Sequence, residues 1–308
     1  MSAVANAFFD NRQSDDMFFD FATEINNQIA AGHIEVTSWP AVMGKISKLL
    51  SNEHLPIHQV TPVVAAEPEL SKRLLSIASS AFMGGRVVSE LGAAISRLGY
   101  KNVRATTMAF ALSKLRQAKE LGSIRSHLDE LWGDATLVAV LAYAIAKEVR
   151  VINADEALSA GLMHNIGKFH ILSEAQAYPQ LFVNDGVLTS LMNRLHPRVG
   201  RVVIEAWDFP DEIAQAVQDQ QKLDRVVPYP DLTDVVSAAV LLSKYLDQTC
   251  HLKKTEGELE KTESEHFEFE SDIEGCGVLS RLGLTGEKFE RLVLIHSEEM
   301  AQLRSILR

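Results

Sequence analysis

Cysteine is nearly missing: Cys250 and Cys276 are the only two in 308 residues. There is no C-x-x-C pair and no histidine at zinc-finger spacing, which excludes a disulfide scaffold and a cysteine-based zinc module and points to a reduced, cytoplasmic setting. Long apolar runs are missing too. The longest, Leu137 to Ala146, has ten residues between Asp134 and Lys147, against the ~20 a membrane helix needs. The opening MSAVANAFFDNRQSDD sets Arg12 among Asp10, Asp15 and Asp16, unlike a secretory signal. Positive charge is in deficit, with a net charge of −11, and aromatics are only 7%. A broad nucleic-acid surface is therefore not expected. No glycine-rich phosphate loop, internal repeat or strand–helix alternation is legible.

What is present is helix. Apolar residues make up 46% and charged residues 23%, an ordinary balance for a globular chain. Phe18, Phe21, Ala22, Ile25 and Ile29 recur at helical spacing after Ser14-Asp15. Trp39-Pro40 breaks the chain, and Val42, Ile46, Leu49 and Leu50 stripe the next helix. Thr61-Pro62 reads as a cap with proline at the first helical position, leaving a short helix over Val63 to Ala66. Glu67-Pro68 opens another, with Leu70, Leu74, Ile77 and Ala78 on one face. Paired glycines after Phe82-Met83 make a loop, and Ser89 caps a helix that Gly99 stops. Further helices are predicted at 101–115, 118–130, 134–150, 155–166, 187–195, 197–207, 211–221, 231–248 and 285–306. Between Cys250 and Gly275 lie nine acidic residues and three lysines, 9 − 3 = 6 of the 11 net negative charges. That segment reads as an acidic loop or a minor strand pair near the C-terminus. The expected division is an N-terminal amphipathic helix (1–34), a helical domain (35–249), the acidic loop (250–275) and a C-terminal helix packing on the bundle (276–308). The fold class is all-α.

Five phrases stand in order: SWPAVMGKISKLL, VVAAEPELSKRLLSIASSAFMGG, SELGAAISRLGYKNVRATTMAFAL, LWGDATLVAVLAYAIAKE and DEALSAGLMHNIGKFHIL. Together they resemble an HDOD domain, a helical module related to the HD-superfamily phosphohydrolases, over about residues 35 to 247. The resemblance implies a multi-helix bundle. It also implies that the last two phrases carry the positions at which active HD relatives hold one or two divalent metals. Such a centre needs several imidazoles and carboxylates converging, with a bridging carboxylate and a water nucleophile.

Mapped by resemblance, the first histidine position is Asp134, the His-Asp pair is His164-Asn165, and a later histidine survives as His196. A paired His-His falls on Gln220-Gln221, and a distal aspartate on Val240. A neutral amide at Asn165 cannot supply the charge of a bridging carboxylate, and Val240 cannot ligate at all. The site therefore reads as a vestige comprising Asp134, His164, Asn165, Lys168, His196, Asp219, Gln220, Gln221 and Val240. No catalytic residue, metal or cofactor is expected. If activity survived, the cofactor would be a divalent transition metal on Asp134, His164 and His196.

Each residue also has a plainer reading. His164 and Asn165, on a helix with Leu158, Leu162 and Ile166, form a polar pair that must be hydrogen-bonded. Asp134 is an N-cap, His196 a helix start before Pro197, and Lys168 a helix-end cation offsetting the dipole. Lys168 facing an anionic ligand is the minority reading. The phenylalanines Phe8, Phe9, Phe18, Phe19 and Phe21 read as core or helix-docking residues, the alternative being that some meet a partner chain. The resemblance implies a non-catalytic bacterial signal-transduction or scaffold module. Its partner would be a separate signalling chain (a receiver or second-messenger enzyme) or a ligand, with no nucleic acid and no membrane. The alternative is a metal-dependent phosphohydrolase of nucleotides or other phosphoesters.

Overall fold

The structure, a computed structural model, describes residues 2–32, 49, 55–80, 85–117, 124–150, 152–182, 185–255 and 276–307. In order, the helices are α1 (Ser2–Ala31), α2 (Ile57–Ala65), α3 (Pro68–Ser79), α4 (Leu91–Gln117), α5 (Arg125–Val149), α6 (Ala154–Met163) and α7 (Ile166–Ala175). After a 3-10 turn at Pro179–Phe182 come α8 (Asp185–Ala206), α9 (Asp211–Asp219), α10 (Leu232–Thr255), α11 (Gly277–Leu282) and α12 (Gly286–Leu307). No strand occurs among the described residues, and the chain is all-α. Of the acidic segment, residues 250–255 close α10, and residues 256–275 lie outside the described residues, as do the Trp39-Pro40 break and the stripe from Val42 to Ile46.

Two apolar clusters organise the bundle. The smaller joins Val60 and Val64 of α2, Leu70, Leu74, Ile77 and Ala78 of α3, and Ile95, Leu98 and Phe110 of α4. The larger surrounds α5, whose residues from Ala135 to Ala146 are nearly all buried, and takes in Phe169, Val199, Val217 and Val235 from the helices around it. Phe21 and Ile25 dock α1 on this core, and Phe18 is partly buried there, while Phe19 is 73% exposed. Phe289 and Leu292 bury the inner face of α12, which leans on both α5 and α3.

Several predicted boundaries move. The helix containing Phe21 begins at Ser2, so Ser14-Asp15 lies inside it. Thr61 and Pro62 are internal to α2, where the Thr61 hydroxyl donates to the Ile57 carbonyl at 2.8 Å. Gly99 does break α4, with φ 74° and ψ 158°, but the chain resumes as helix at once. The predicted stop between 130 and 134 does not exist: α5 runs through Gly133, because Leu128 and Trp132 on its near side are buried with the rest of its apolar face. A helical glycine costs only about 1 kcal/mol, less than those burials return. Asp134 is thus a mid-helix residue and not an N-cap. Likewise α8 passes through Pro197 unbroken, so His196 starts nothing. The predicted 155–166 helix divides instead. α6 ends at Met163, His164-Asn165 form a turn, and α7 follows.

The tightest approaches fix this turn. A Cβ on Gly161 would lie 2.8 Å from the Ala139 Cα, so α6 crosses α5 backbone against backbone. A Cβ on Gly167 would lie 2.1 Å from the His196 carbonyl oxygen, which brings α7 equally close to α8. Asn153 caps α6, its side-chain oxygen accepting from the amides of Asp155 and Glu156.

Candidate functional site

Asp134, on the third turn of α5, faces the α6–α7 turn. The His164 Nε2 lies 3.2 Å from its Oδ2, and the Asn165 amide donates to the same oxygen at 3.4 Å and to the Leu131 carbonyl at 3.1 Å. From α10 the Ser243 hydroxyl lies 3.5 Å from Asp134 Oδ1, with the Val240 carbonyl its closer acceptor at 3.0 Å. Burial alone would raise the Asp134 carboxyl. The His164 hydrogen bond and charge, with Lys168 and Lys244 beyond, outweigh it and hold the group below the ordinary aspartate value. On its other side, His164 Nδ1 sits 2.7 Å from the Gly161 carbonyl, which can only accept, so this nitrogen carries a hydrogen.

The other mapped residues lie around this pair but do not join it. His196 is buried on α8, with the Gln221 side-chain amide 2.8 Å from its Nε2 and no partner on Nδ1 among the described residues. Burial, reinforced by the charges of Lys168, His164 and Lys244, pushes its pKa down to about 2. Gln220 is also buried, and its amide ties α9 to the turn by donating to the His164 and Val217 carbonyls. Asp219 turns away to pair with Lys222 at 2.8 Å. Val240 packs against the larger core. Lys168 stands in the first turn of α7, the wrong end to offset a helix dipole, so that expectation is withdrawn. Burial chiefly, and Lys244 besides, lowers its pKa, while Asp134 opposes them.

The donor set can be tested against the metal that the resemblance implies. A 3.2 Å separation between His164 Nε2 and Asp134 Oδ2 is one that two ligands of a single ion can have. Among the described residues no third ligand joins them. Asn165 turns its NH2 toward Asp134 and leaves its own Oδ1 buried and without a partner among the described residues. His196 is capped by Gln221. Among the described residues no group of three or more His, Cys, Asp or Glu could hold a metal ion. Two ligands and no bridging carboxylate do not fit a catalytic centre of either one or two ions.

Beside the pair opens a cavity of about 490 Å³ between α5, α7 and α8. Of the mapped residues only Asp134 and Lys168 line it. Leu137, Leu172 and Met192 form its buried wall, and Glu130, Thr189 and Asn193 its exposed rim. None of the rim residues, nor Ser243, was legible in the sequence. Ser243 lies three positions after Val240, and only that helical spacing could have pointed to it.

The all-α bundle, with Asp134 and His164 joined between its α5 and the α6–α7 turn, defines the class. The HDOD domain family matches residues 36–223, more than half of the chain, and the chain belongs to that family. Among solved structures it is similar to a Shewanella amazonensis protein named for a proposed metal-dependent phosphohydrolase activity, at TM-score 0.70 and 17% identity, covering 94% of this chain and 99% of that one. It is similar also to an HDOD domain protein of unknown function from Geobacter sulfurreducens, at TM-score 0.55 and 18% identity, covering 95% and 97%. A third, from Marinobacter aquaeolei, carries a name proposing signal transduction. It matches at TM-score 0.51 and 21% identity, covering 87% of this chain and 59% of that one. No curated protein matches the chain.

Proposed function

We propose that this chain is a non-catalytic, cytoplasmic HDOD signalling module that acts by binding a separate partner chain or a ligand. The observation that carries the reading is the fate of the mapped metal positions. Asp134 and His164 are joined to each other, His196 is held by Gln221, Asn165 donates where a carboxylate would accept, and Val240 is spent on the core. Membership of the HDOD family and the Marinobacter relative's signalling name support it. The acidic balance weighs against nucleic acid as the partner. No helix among the described residues is long and apolar enough to cross a membrane.

The rival is the metal-dependent phosphohydrolase that the Shewanella relative's name proposes for that protein. Elemental analysis separates the two. Protein purified without chelator or metal-binding tag is compared with His164→Ala. The expected result is transition metal at background in both. Near one equivalent in the parent, lost in the variant, would overturn the non-catalytic reading.

A further inference from the structure

The cavity between α5, α7 and α8 holds one cation without a direct partner among the described residues. The Lys168 ammonium is half-buried at its wall and makes no hydrogen bond or ion-pair contact with any described residue. Asp134, the other charged group inside, is already engaged by His164 and Asn165, with Ser243 nearby. Glu130 stands at the rim in water. A cationic ligand would therefore find its acceptor taken, whereas an anion would complete the lysine. Asp134 acts on this ammonium only at a distance. A cation partly withdrawn from water with no directly bonded counter-charge is costly, and a charge-assisted hydrogen bond offsets that cost. The buried wall of the cavity is apolar, with Leu172 one turn along α7 from Lys168, Leu137 from α5 and Met192 from α8. At about 490 Å³ the space falls within the ~300–1,000 Å³ range of small-molecule sites.

We propose that this cavity binds a small amphipathic anion, its phosphate, carboxylate or sulfonate head on the Lys168 ammonium and its apolar body against Leu137, Leu172 and Met192. Thr189 and Asn193 at the mouth offer the polar groups that orient it. The inference rests on the non-catalytic reading, since a ligand held there is retained and not cleaved. The depressed Lys168 pKa is in keeping with a lysine kept from water and from full compensation.

The test uses 1-anilinonaphthalene-8-sulfonate, an aromatic sulfonate, titrated by fluorescence into the full chain. One saturable site is expected. Lys168→Met weakens it about tenfold, the loss of one charge-assisted contact, and Lys168→Arg restores most of it. Thr189→Trp, at an exposed helical position where folding tolerates the change, obstructs the mouth and also weakens binding. Absence of a saturable site, or unchanged affinity in Lys168→Met, would overturn the proposal and leave the non-catalytic reading intact. p-Nitrophenyl phosphate, another amphipathic anion, is expected to displace the dye with no release of nitrophenolate. Displacement accompanied by nitrophenolate release would uphold the cavity as an anion site and remove the non-catalytic reading instead.

Discussion

At the residue scale, Gly167 is the least replaceable position near the site. A methyl there meets the His196 carbonyl at 2.1 Å, a backbone atom that cannot rotate away. Gly167→Ala should therefore destabilise the chain by about 2 kcal/mol, read as a lower urea midpoint, with no loss expected at an exposed helical control such as Thr189→Ala. Two buried histidines give a second expectation. Burial holds His170, whose Nε2 faces the Gln28 side-chain oxygen at 3.1 Å, down to about 4, and His196 down to about 2. The unfolded chain takes up these protons near the ordinary histidine value of 6.5, and the folded chain does not. The unfolded state thus binds more protons as pH falls below about 6.5. Stability drops at up to about 1.4 kcal/mol per pH unit for each histidine until its folded value is reached. Urea titrations at pH 7 and pH 5 check this, and equal stabilities would refute it. Motif order was enough to single out Asp134, His164 and Asn165, which the structure brings together. Ser243 and the cavity rim were not legible, because they depend on how α8 and α10 rotate against α5.

At the element scale, the short α11 is fastened by charge. Asp234 of α10 is fully buried, and Arg281 of α11 grips both its oxygens, Nη2 to Oδ1 at 2.7 Å and Nε to Oδ2 at 3.2 Å. Arg225, from the connection before α10, adds a longer contact at 3.4 Å and spends its main bidentate pairing on Asp231. Arg281→Leu would leave a buried carboxylate with only that longer contact and the Asp231 backbone amide, which donates to Oδ2 at 3.4 Å. The expected loss is about 3 kcal/mol, accompanied by faster amide exchange across 277–307. Unchanged exchange there would show that apolar packing alone holds the segment. Element ends were the least legible feature of the sequence. Gly133 and Pro197 look like breaks, yet both sit inside helices whose apolar faces are buried on either side of them. His164-Asn165 looks continuous, yet it bends because α6 and α7 must each press on a different neighbour.

At the scale of the whole molecule, the all-α class was legible because apolar residues recur at helical spacing almost everywhere, and the family because five phrases fall in order. The partition into two cores was not legible. It arises where α4, bent at Gly99, puts Ile95, Leu98 and Phe110 into the smaller cluster and Ala109 into the larger. Among the described residues the buried members of the smaller core come from α2, α3 and this helix. One further helix touches both bodies, since α12 leans on α3 of the smaller and α5 of the larger. The last helix therefore works as a staple across a seam. A load on that staple is shared between the smaller cluster and the helix that carries Asp134.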